Sequence, residues 1–396
     1  MKKKVLFMLT SMNVGGVEKS LLSLLSALSK EEYEVTVLLL EKKGGFLEFI
    51  PTWVRVEEAN WFKEIKPVIL QPPQKTVKDL LHNKKIIKLI TFIPTYFISK
   101  HFDNRYLYYK SVMKEIPQND ERYDVAVAYQ GPTDIIDYYI LNKVEAKRKI
   151  SWVHFDVSKH KVNKKLYAKL YGDFNQVYTV SVAAKQSLVK AIPDIKNKTA
   201  IYKNHVQQDL IKTLAKKHVD FDEDFQGTRI VTVGRLSLEK GQDLAIRVLA
   251  KLRSEGYEVR WYCIGEGNAR TEYERLIAKY KMRENFLLLG EKTNPYPYIL
   301  RSDIYVQPSR HEGYCLTLAE AKCLQKPIVT TNFSGAYEQI DNGHNGYIVN
   351  TDIDQLYGKI KLLLDHQIQQ EKFRLNLALQ ALKPEVRVHK QINQVI

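Results

Sequence analysis

Cysteine is scarce in this chain of 396 residues, which contains only Cys263, Cys315 and Cys323. An odd number of cysteines without metal-ligand spacing argues against a disulfide framework and against a thiolate metal site. The sequence therefore predicts reduced thiols in a reducing compartment, and we expect a cytoplasmic protein.

Long apolar runs are also lacking. The best candidate, residues 86–98, is interrupted by Lys88 and Pro94, and it falls short of the about 18–20 residues that cross a bilayer. The apolar residues Val5 to Leu9 after the first lysines are too few for a signal peptide and lead into a glycine turn. We read them as a buried strand and expect no membrane-spanning segment.

Acidic residues are outnumbered, and the formal net charge is +16. Such an excess raises nucleic acid and anionic membranes as partners. Residues 1–200 hold 33 Lys and Arg against 21 Asp and Glu, and the remainder holds 28 against 24. The uneven distribution indicates one basic face in the first half, and no recognised nucleic-acid-binding module is visible.

Apolar runs alternate with helical patterns along most of the chain, which is typical of parallel α/β sheets with right-handed crossovers. Strands are predicted at residues 4–9, 33–40, 54–57, 125–129, 149–154, 176–180, 228–233, 258–264, 285–289, 304–307 and 327–330. Helices are predicted at residues 17–28, 242–255, 271–280 and 316–323. The pattern restarts near residues 205–225, so we predict two Rossmann-like domains that face a central cleft.

The predicted domains are 1–210 and 211–380, with a tail at 381–396 that could pack back on the first domain. Residues 63–114 interrupt the alternation and are rich in Lys, Tyr, Phe and Ile. This insert could lie on an anionic bilayer through Lys84, Lys85 and Lys88, with its Ile and Phe side chains at the boundary of the acyl chains. Alternatively, it is an ordinary amphipathic helical insert whose lysines face solvent.

Ligands of doubly wound sheets bind at the carboxyl ends of the strands, so the loops after strands are the candidate sites. After the strand at 304–307 comes a loop with Glu312, and Glu320 follows about one turn into the next helix. The first N–H groups of that helix offer an anion site. Two carboxylates beside it suit hydroxyl groups on either side of a diphosphate, although an ordinary loop with solvated carboxylates would also fit.

Three further elements follow predicted strands. Arg235 and Lys240 could bind a phosphate, or they could belong to a basic surface loop. The turn at Gly15 and Gly16 lets backbone amides approach a ligand, but such turns are mostly structural. His154 ends an apolar run, where a histidine more often serves packing.

Together these residues resemble the family-four retaining glycosyltransferases of the GT-B fold, the group 1 type found in capsule and exopolysaccharide synthesis. The resemblance rests on Arg235 and Lys240, on the Glu-x7-Glu pair Glu312 and Glu320, and on the Gly-Gly-Val-Glu-Lys run at residues 15–19. It implies that domain 1–210 binds the acceptor and domain 211–380 binds a nucleotide-sugar donor.

The resemblance also implies residue roles. Arg235 and Lys240 would neutralise the donor diphosphate, Glu312 would hold the donor sugar, and Glu320 would bind the ribose. His154 would face the transferred sugar. The remaining donor contacts would come from Gly15, Gly16, Gly265, Gly267, Glu291, Lys292, Gly313, Tyr314, Cys315, Leu316 and Thr317.

The resulting prediction is a retaining, metal-independent hexosyltransferase without a cofactor. It would move a sugar from a nucleotide diphosphate sugar, with UDP as the preferred base on family frequency, to a glycan or lipid-linked acceptor in bacterial surface polysaccharide synthesis. No Asp-x-Asp motif is expected in the cleft loops. The alternatives are a GT-B nucleotide-sugar epimerase and a non-catalytic basic protein that binds nucleic acid or sugar. We expect a nucleotide-sugar and a saccharide acceptor as partners, and no nucleic acid.

Overall fold

A computed structural model describes residues 2–84, 86–159, 162–204, 206–219, 221, 224–381 and 395–396. These residues form two compact units that divide between Tyr202 and Lys203, a few residues before the predicted boundary at 210. Most of the predicted tail, and Lys85 of the predicted membrane-binding set, lie outside the described residues.

The end of the chain belongs to the first unit. Val395 and Ile396 are buried, and Arg148 Nη1 donates a hydrogen bond to the backbone oxygen of Val395 at 2.9 Å. This contact joins the carboxyl end of the chain to a strand of the first unit.

The first unit is built on a parallel sheet in which seven described strands have the order β3-β2-β1-β4-β5-β6-β7. The strands are β1 Lys3–Leu9, β2 Tyr33–Leu39, β3 Arg55–Glu58, β4 Arg122–Gly131, β5 Glu145–Val153, β6 Gln176–Thr179 and β7 Thr199–Ile201. Residues 5–9 of β1 are completely buried, because helices cover both faces of a parallel sheet.

Helices connect the strands of this unit. They are α1 Gly16–Ser26, α2 Phe62–Leu70, α3 Pro73–His82, α4 Ile86–His101, α5 Arg105–Val112, α6 Asp134–Lys143, α7 Lys164–Asp173 and α8 Val182–Ala191. The interrupting stretch of the sequence thus consists of four helices, α2 to α5, between β3 and β4. No helix among the described residues combines the length and the hydropathy needed to cross a membrane.

The second unit has a parallel sheet in which six described strands have the order β10-β9-β8-β11-β12-β13. The strands are β8 Thr228–Val233, β9 Val259–Ile264, β10 Phe286–Leu288, β11 Ile304–Gln307, β12 Ile328–Thr331 and β13 Tyr347–Val349. The helices are α9 Gln208–Ala215, α10 Gln242–Ser254, α11 Arg270–Lys279, α12 Tyr296–Arg301, α13 Leu316–Cys323, α14 Ile353–Asp365 and α15 Gln367–Ala381. In both sheets the order reverses beside the first strand, which is the Rossmann-like arrangement that the sequence predicts.

Candidate functional site

Three loops of the second unit meet at the carboxyl ends of β8, β9 and β10. Gly234 N donates to Ile264 O at 2.9 Å, and Leu236 N donates to Glu266 O at 3.0 Å. Gly265 has a φ of +146°, and a Cβ at this position would overlap the backbone oxygen of Gly234. The predicted donor-loop glycine is therefore required by this close approach of the loop that carries Arg235.

The other glycine of this turn and the next loop continue the same contact. A Cβ at Gly267 would overlap the backbone of Leu236, and Gly265 N donates to Gly290 O at 2.9 Å. Of the next two residues, Glu291 is exposed and Lys292 is half-buried. The predicted positions 265, 267, 291 and 292 thus lie in adjoining loops.

Lys240 and Glu312, from two different loops, form an ion pair with Nζ and Oε1 2.5 Å apart. Their side chains retain 23% and 12% of their exposed surface. Glu312 Oε1 also accepts a hydrogen bond from Ser309 Oγ at 3.0 Å. The carboxylate is therefore not solvated, which excludes the interpretation of an ordinary exposed loop.

The charges in this site do not balance. Burial lowers the pKa of Lys240, but the neighbouring Glu312 carboxylate outweighs that effect and raises the pKa overall, so the amine stays protonated. The positive charge of Arg235 opposes this rise, and Cδ of Lys240 lies 3.7 Å from the Cβ position of Gly234, the residue before Arg235. Arg235 itself is exposed. The protonated Lys240 thus lies next to the loop that carries Arg235, and an anionic ligand would suit this site.

The amino end of α13 supplies further donors. Its first-turn N–H groups, at Leu316 and Thr317, have no acceptors within the helix. Cys315 precedes the helix with a φ of +64°, an uncommon conformation that often marks functional loops. Burial raises the pKa of the Cys315 thiol, so it is uncharged.

The turn before α13 is held in place by Gln339 and by close packing against Gly335. Gln339 Nε2 donates hydrogen bonds to the backbone oxygens of Tyr314 and Cys315, and a Cβ at Gly335 would lie 2.8 Å from Gly313 O. Because the carbonyl groups of residues 313–315 face this packing, the loop has a defined backbone at the start of α13.

Glu320 is almost completely buried, with 1% exposure. Its Oε1 accepts a hydrogen bond from Tyr296 OH at 3.1 Å, and the carboxylate in turn raises the pKa of this tyrosine, in addition to burial. A buried carboxylate at the first turns of a helix is costly unless it is hydrogen-bonded.

The residues that hold the loops of Lys240 and Glu312 together were not predicted from the sequence. Arg310 Nη1 and Nη2 donate to the two carboxylate oxygens of Asp243, each at 2.7 Å. Behind Glu312, Gln307 Nε2 donates to Ser309 Oγ at 2.8 Å. All are polar residues next to predicted strand or helix ends, which is a weak signal, because their partners are distant in sequence.

The other predicted residues lie in the first unit. Gly15 precedes α1, and Gly16 is already its first residue and not part of the turn. His154 directly follows β5, and its N–H donates to Gly131 O at 3.3 Å. Burial lowers the pKa of His154 to about 3, although a hydrogen bond with the Tyr129 backbone opposes this shift. The ring is neutral, and its Nε2 is buried without a hydrogen-bond partner among the described residues.

Acidic pairs outside this site have structural roles. An Asp-x-Asp pair follows β13, and its Asp352 caps α14 by accepting a hydrogen bond from Gln355 N at 2.9 Å. Asp354 pairs with Lys251 at 2.9 Å. In the described part of the chain, no three or more His, Cys, Asp or Glu residues are grouped as metal ligands. The three cysteines are buried, and none forms a disulfide.

The second unit is similar to a known family of proteins. Residues 215–378 match the family model described as Glycosyl transferases group 1. The matched residues make up most of the second unit. The matched range contains Arg235, Lys240, Glu312 and Glu320. The match confirms the resemblance to group 1 glycosyltransferases that the sequence shows.

Two curated relatives match part of the chain. The N-acetylgalactosamine-N,N'-diacetylbacillosaminyl-diphospho-undecaprenol 4-alpha-N-acetylgalactosaminyltransferase of Campylobacter jejuni is 28% identical over 206 residues, 52% of this chain and 54% of the relative. The capsular polysaccharide biosynthesis glycosyltransferase CapM of Staphylococcus aureus is 28% identical over 169 residues, 42% of this chain and 43% of the relative. The chain spans about half the length of the curated relatives it matches.

Solved structures cover both units. The structure of Anabaena HepE in complex with UDP and glucose matches 99% of this chain and 99% of its own with a TM-score of 0.71, at 17% sequence identity. This likeness confirms the GT-B fold that the sequence predicts. At 17% identity it supports the fold only.

Proposed function

We propose that the protein is a retaining glycosyltransferase that moves a sugar from a UDP-sugar to a glycan or lipid-linked acceptor in bacterial surface polysaccharide synthesis. The observation that carries this proposal is the Lys240–Glu312 ion pair beside Arg235 in a group 1 domain. It combines an excess of positive charge with a carboxylate at the strand ends where ligands of such sheets bind.

Arg235 and Lys240 would neutralise the donor diphosphate. Sugar transfer places negative charge on the departing nucleotide diphosphate, and fixed cations stabilise that charge most in the transition state. Lys240 is held in place by Glu312 before the donor arrives, so little reorganisation is needed. The first N–H groups of α13 would add hydrogen bonds to phosphate oxygens.

The two carboxylates would bind hydroxyl groups at either end of the diphosphate. Glu312 would orient the donor sugar, and Glu320 would bind the ribose. Both side chains are restrained by hydrogen bonds, from Ser309 to Glu312 and from Tyr296 to Glu320. Such restraint favours one position of the anomeric carbon over others.

Retention would proceed on one face of the sugar, with the leaving phosphate accepting the proton of the acceptor hydroxyl. The neutral ring of His154 can offer one hydrogen bond to the sugar. Because its Nε2 is buried, small movements of neighbouring side chains would have to accompany that contact.

The relatives support the finer assignments. UDP is bound in HepE, and UDP-glucose is the ligand in a second HepE structure. The C. jejuni relative is named for an undecaprenol diphosphate acceptor, and CapM is named for capsular polysaccharide biosynthesis. We infer a UDP-sugar donor and an acceptor of this general kind.

We also propose that transfer needs neither a divalent metal nor another cofactor. Two side-chain cations at the diphosphate supply the charge that a metal ion provides in other nucleotide-sugar sites. Arg binds phosphate with a planar fork and Lys with a point charge, so together they cover both phosphates.

A cytoplasmic location at the inner membrane surface would bring the enzyme to a lipid-linked acceptor. One face of α4 is apolar yet exposed, with Ile90 and Phe97 accessible to 65% and 63% and with Pro94 and Ile98 on the same stripe. Lys84 lies exposed just before the helix, and Lys100 near its end. Lysines flanking an apolar stripe match an anionic lipid surface.

A thermal-shift and product experiment tests the function. We would screen the full chain against UDP, GDP, ADP and dTDP and their common sugars, with and without EDTA. A stabilisation by UDP and UDP-sugars that survives EDTA is expected. No shift with any nucleotide at millimolar concentration would contradict the donor site, and loss of the shift in EDTA would contradict metal independence. A sugar epimerised without any acceptor would instead favour the epimerase alternative.

A further inference from the structure

A cavity of about 300 Å³ opens in the first unit. It lies in the loop layer after β4 and β5, because Pro132 follows the end of β4 and Phe155 follows His154 after β5. Arg105 of α5 forms another part of the wall. This volume is at the lower end of the range for small-molecule sites.

The cavity wall contains a hydrogen-bonded ion pair formed by Arg105 and Asp134. Asp134 accepts hydrogen bonds from Tyr109 OH at 2.9 Å and from Tyr167 OH at 2.5 Å. Arg105 Nε lies 2.9 Å from Asp134 Oδ2. The carboxylate therefore has three donors, and it fixes the guanidinium of Arg105 at the cavity wall.

The remaining hydrogen-bonding capacity of this pair is rich in donors. A guanidinium has five N–H groups, and Arg105 spends one on Asp134 and one on Tyr109 OH at 3.3 Å. The Arg105 side chain is 52% exposed. Because Asp134 cancels its charge, the site offers N–H donors to neutral oxygen atoms without a net positive charge.

The apolar residues Phe155, Val162 and Pro132 also line the cavity, together with Asn163. A sugar ring has one face of C–H groups and a rim of hydroxyl groups. Such a ring suits a cavity with an aromatic wall on one side and a few convergent polar groups on the other. A phosphate would instead meet the carboxylate of Asp134, whose charge opposes the binding of an anion.

We propose that this cavity binds a neutral saccharide unit of the acceptor, with Arg105 as its hydroxyl-binding residue and Asp134 as the residue that positions Arg105. The inference rests on the proposed glycosyltransferase function and deepens it, since it assigns the acceptor sugar to a site built partly by the helical insert. Arg105 comes from that insert, so the insert contributes to acceptor selection.

Saturation-transfer NMR on the full chain tests the site. The probes are the methyl glycosides of glucose, galactose, N-acetylglucosamine and N-acetylgalactosamine, with glucose 1-phosphate and inorganic phosphate for comparison. Val162→Trp fills the cavity without removing a polar group, and Arg105→Lys keeps the charge but removes the fork. Val182→Trp, on the exposed start of α8, is the matched control.

At least one methyl glycoside should bind the wild-type protein and lose its signal in Val162→Trp. Arg105→Lys should weaken this binding about tenfold, since a hydrogen bond from a charged group is lost. Val182→Trp should behave as wild type. If Val162→Trp fails to fold, Phe155→Ala, which removes the aromatic wall, should show the same loss.

Three results would overturn the proposal: no glycoside signal in the wild type, equal signals in the wild type and the cavity variants, or signals from the 1-phosphate that inorganic phosphate displaces. The thermal shift with UDP, measured on the same samples, separates the two inferences. An intact UDP shift with unchanged glycoside binding removes the cavity assignment alone. A missing UDP shift in the wild type removes the glycosyltransferase proposal.

Discussion

Both guanidinium Nη groups of Arg310 donate to the carboxylate of Asp243 at 2.7 Å. Arg310 Nη1 also donates to Leu238 O at 2.6 Å. One side chain on the loop that carries Glu312 thereby grips the loop that carries Lys240 and the start of α10. We expect this connection to help set the distance between Lys240 and Glu312.

Arg310→Ala should therefore loosen the donor site without removing any of its proposed ligands. A partly buried bidentate pair of charged groups contributes about 1–3 kcal/mol, so we expect a lower melting temperature and UDP binding about tenfold weaker. Arg310→Lys should recover only part of both, because an amine cannot replace the fork. Unchanged UDP affinity in Arg310→Ala would show that the two loops hold their positions without it.

Arg235→Ala and Lys240→Ala should each lower the rate of sugar transfer by about 10²–10³, the usual cost of losing one group that stabilises transition-state charge. The melting temperature of Arg235→Ala should stay close to wild type, because Arg235 is exposed. Arg247→Ala, an exposed arginine on α10, is the control. Near-normal turnover in both Arg235→Ala and Lys240→Ala would refute the diphosphate assignment.

Local periodicity was enough to locate the elements on which the site is built. Strands β8 and β11 and helix α13 begin and end at the predicted residues, because short apolar runs bounded by glycine or polar residues leave few alternatives. Strands β7 and β13, each of three residues, were not predicted. Helices α14 and α15 were not predicted either.

The hydrogen-bond partners of the site could not be predicted in the same way. Gln307, Ser309, Arg310 and Asp243 become a connected set only when β8 and β11 pair in the sheet. The Asp-x-Asp pair that begins at Asp352 shows the same limit of spacing, because a pattern that can bind a metal ion here caps a helix. Spacing predicts which loops carry chemistry, and tertiary contacts decide which polar residues within them do so.

Replacing Asp137 by Asn should change the pH dependence of stability. Burial raises the pKa of Asp137 to about 7, whereas an unfolded aspartate titrates near ~4. Between these values the folded chain keeps a proton that the unfolded chain has released, so the free energy of unfolding falls as the pH rises from about 4 to 7. An amide can keep the contacts to Ser151 and Thr133.

The urea midpoint of the first unit, measured from pH 5 to pH 8, checks this prediction. The wild-type midpoint should fall up to about pH 7, and Asp137→Asn should flatten that fall. Asp120→Asn, at an exposed position, should leave the slope as it is. Identical slopes in the wild type and in Asp137→Asn would show that the Asp137 carboxyl is already ionised at pH 5.

Tyr296→Phe should weaken nucleotide binding more than its small size suggests. It removes the hydroxyl that donates to the buried Glu320 at 3.1 Å, and a buried carboxylate that loses a donor costs about 1–3 kcal/mol. We expect a lower melting temperature and a severalfold loss of UDP affinity by calorimetry. Tyr337→Phe, at 65% exposure, is the control. UDP affinity equal to wild type would argue against Glu320 as a ribose ligand.

The apolar stripe of α4 gives the sharpest test of membrane association. Ile90 and Phe97 are exposed on one face of the helix. Lys88 is paired with Glu115 at 2.5 Å and therefore contributes less free charge than the sequence suggests.

The double variant Ile90→Ser, Phe97→Ser should lose most binding to vesicles of phosphatidylglycerol and phosphatidylcholine in a sedimentation assay. Lys84→Glu should weaken binding less, because a single lysine near an anionic surface is worth about 1 kcal/mol. Phe49→Ser, at an exposed position outside the insert, should bind as wild type does. Equal sedimentation of all these variants would mean that α4 is not the membrane-binding face.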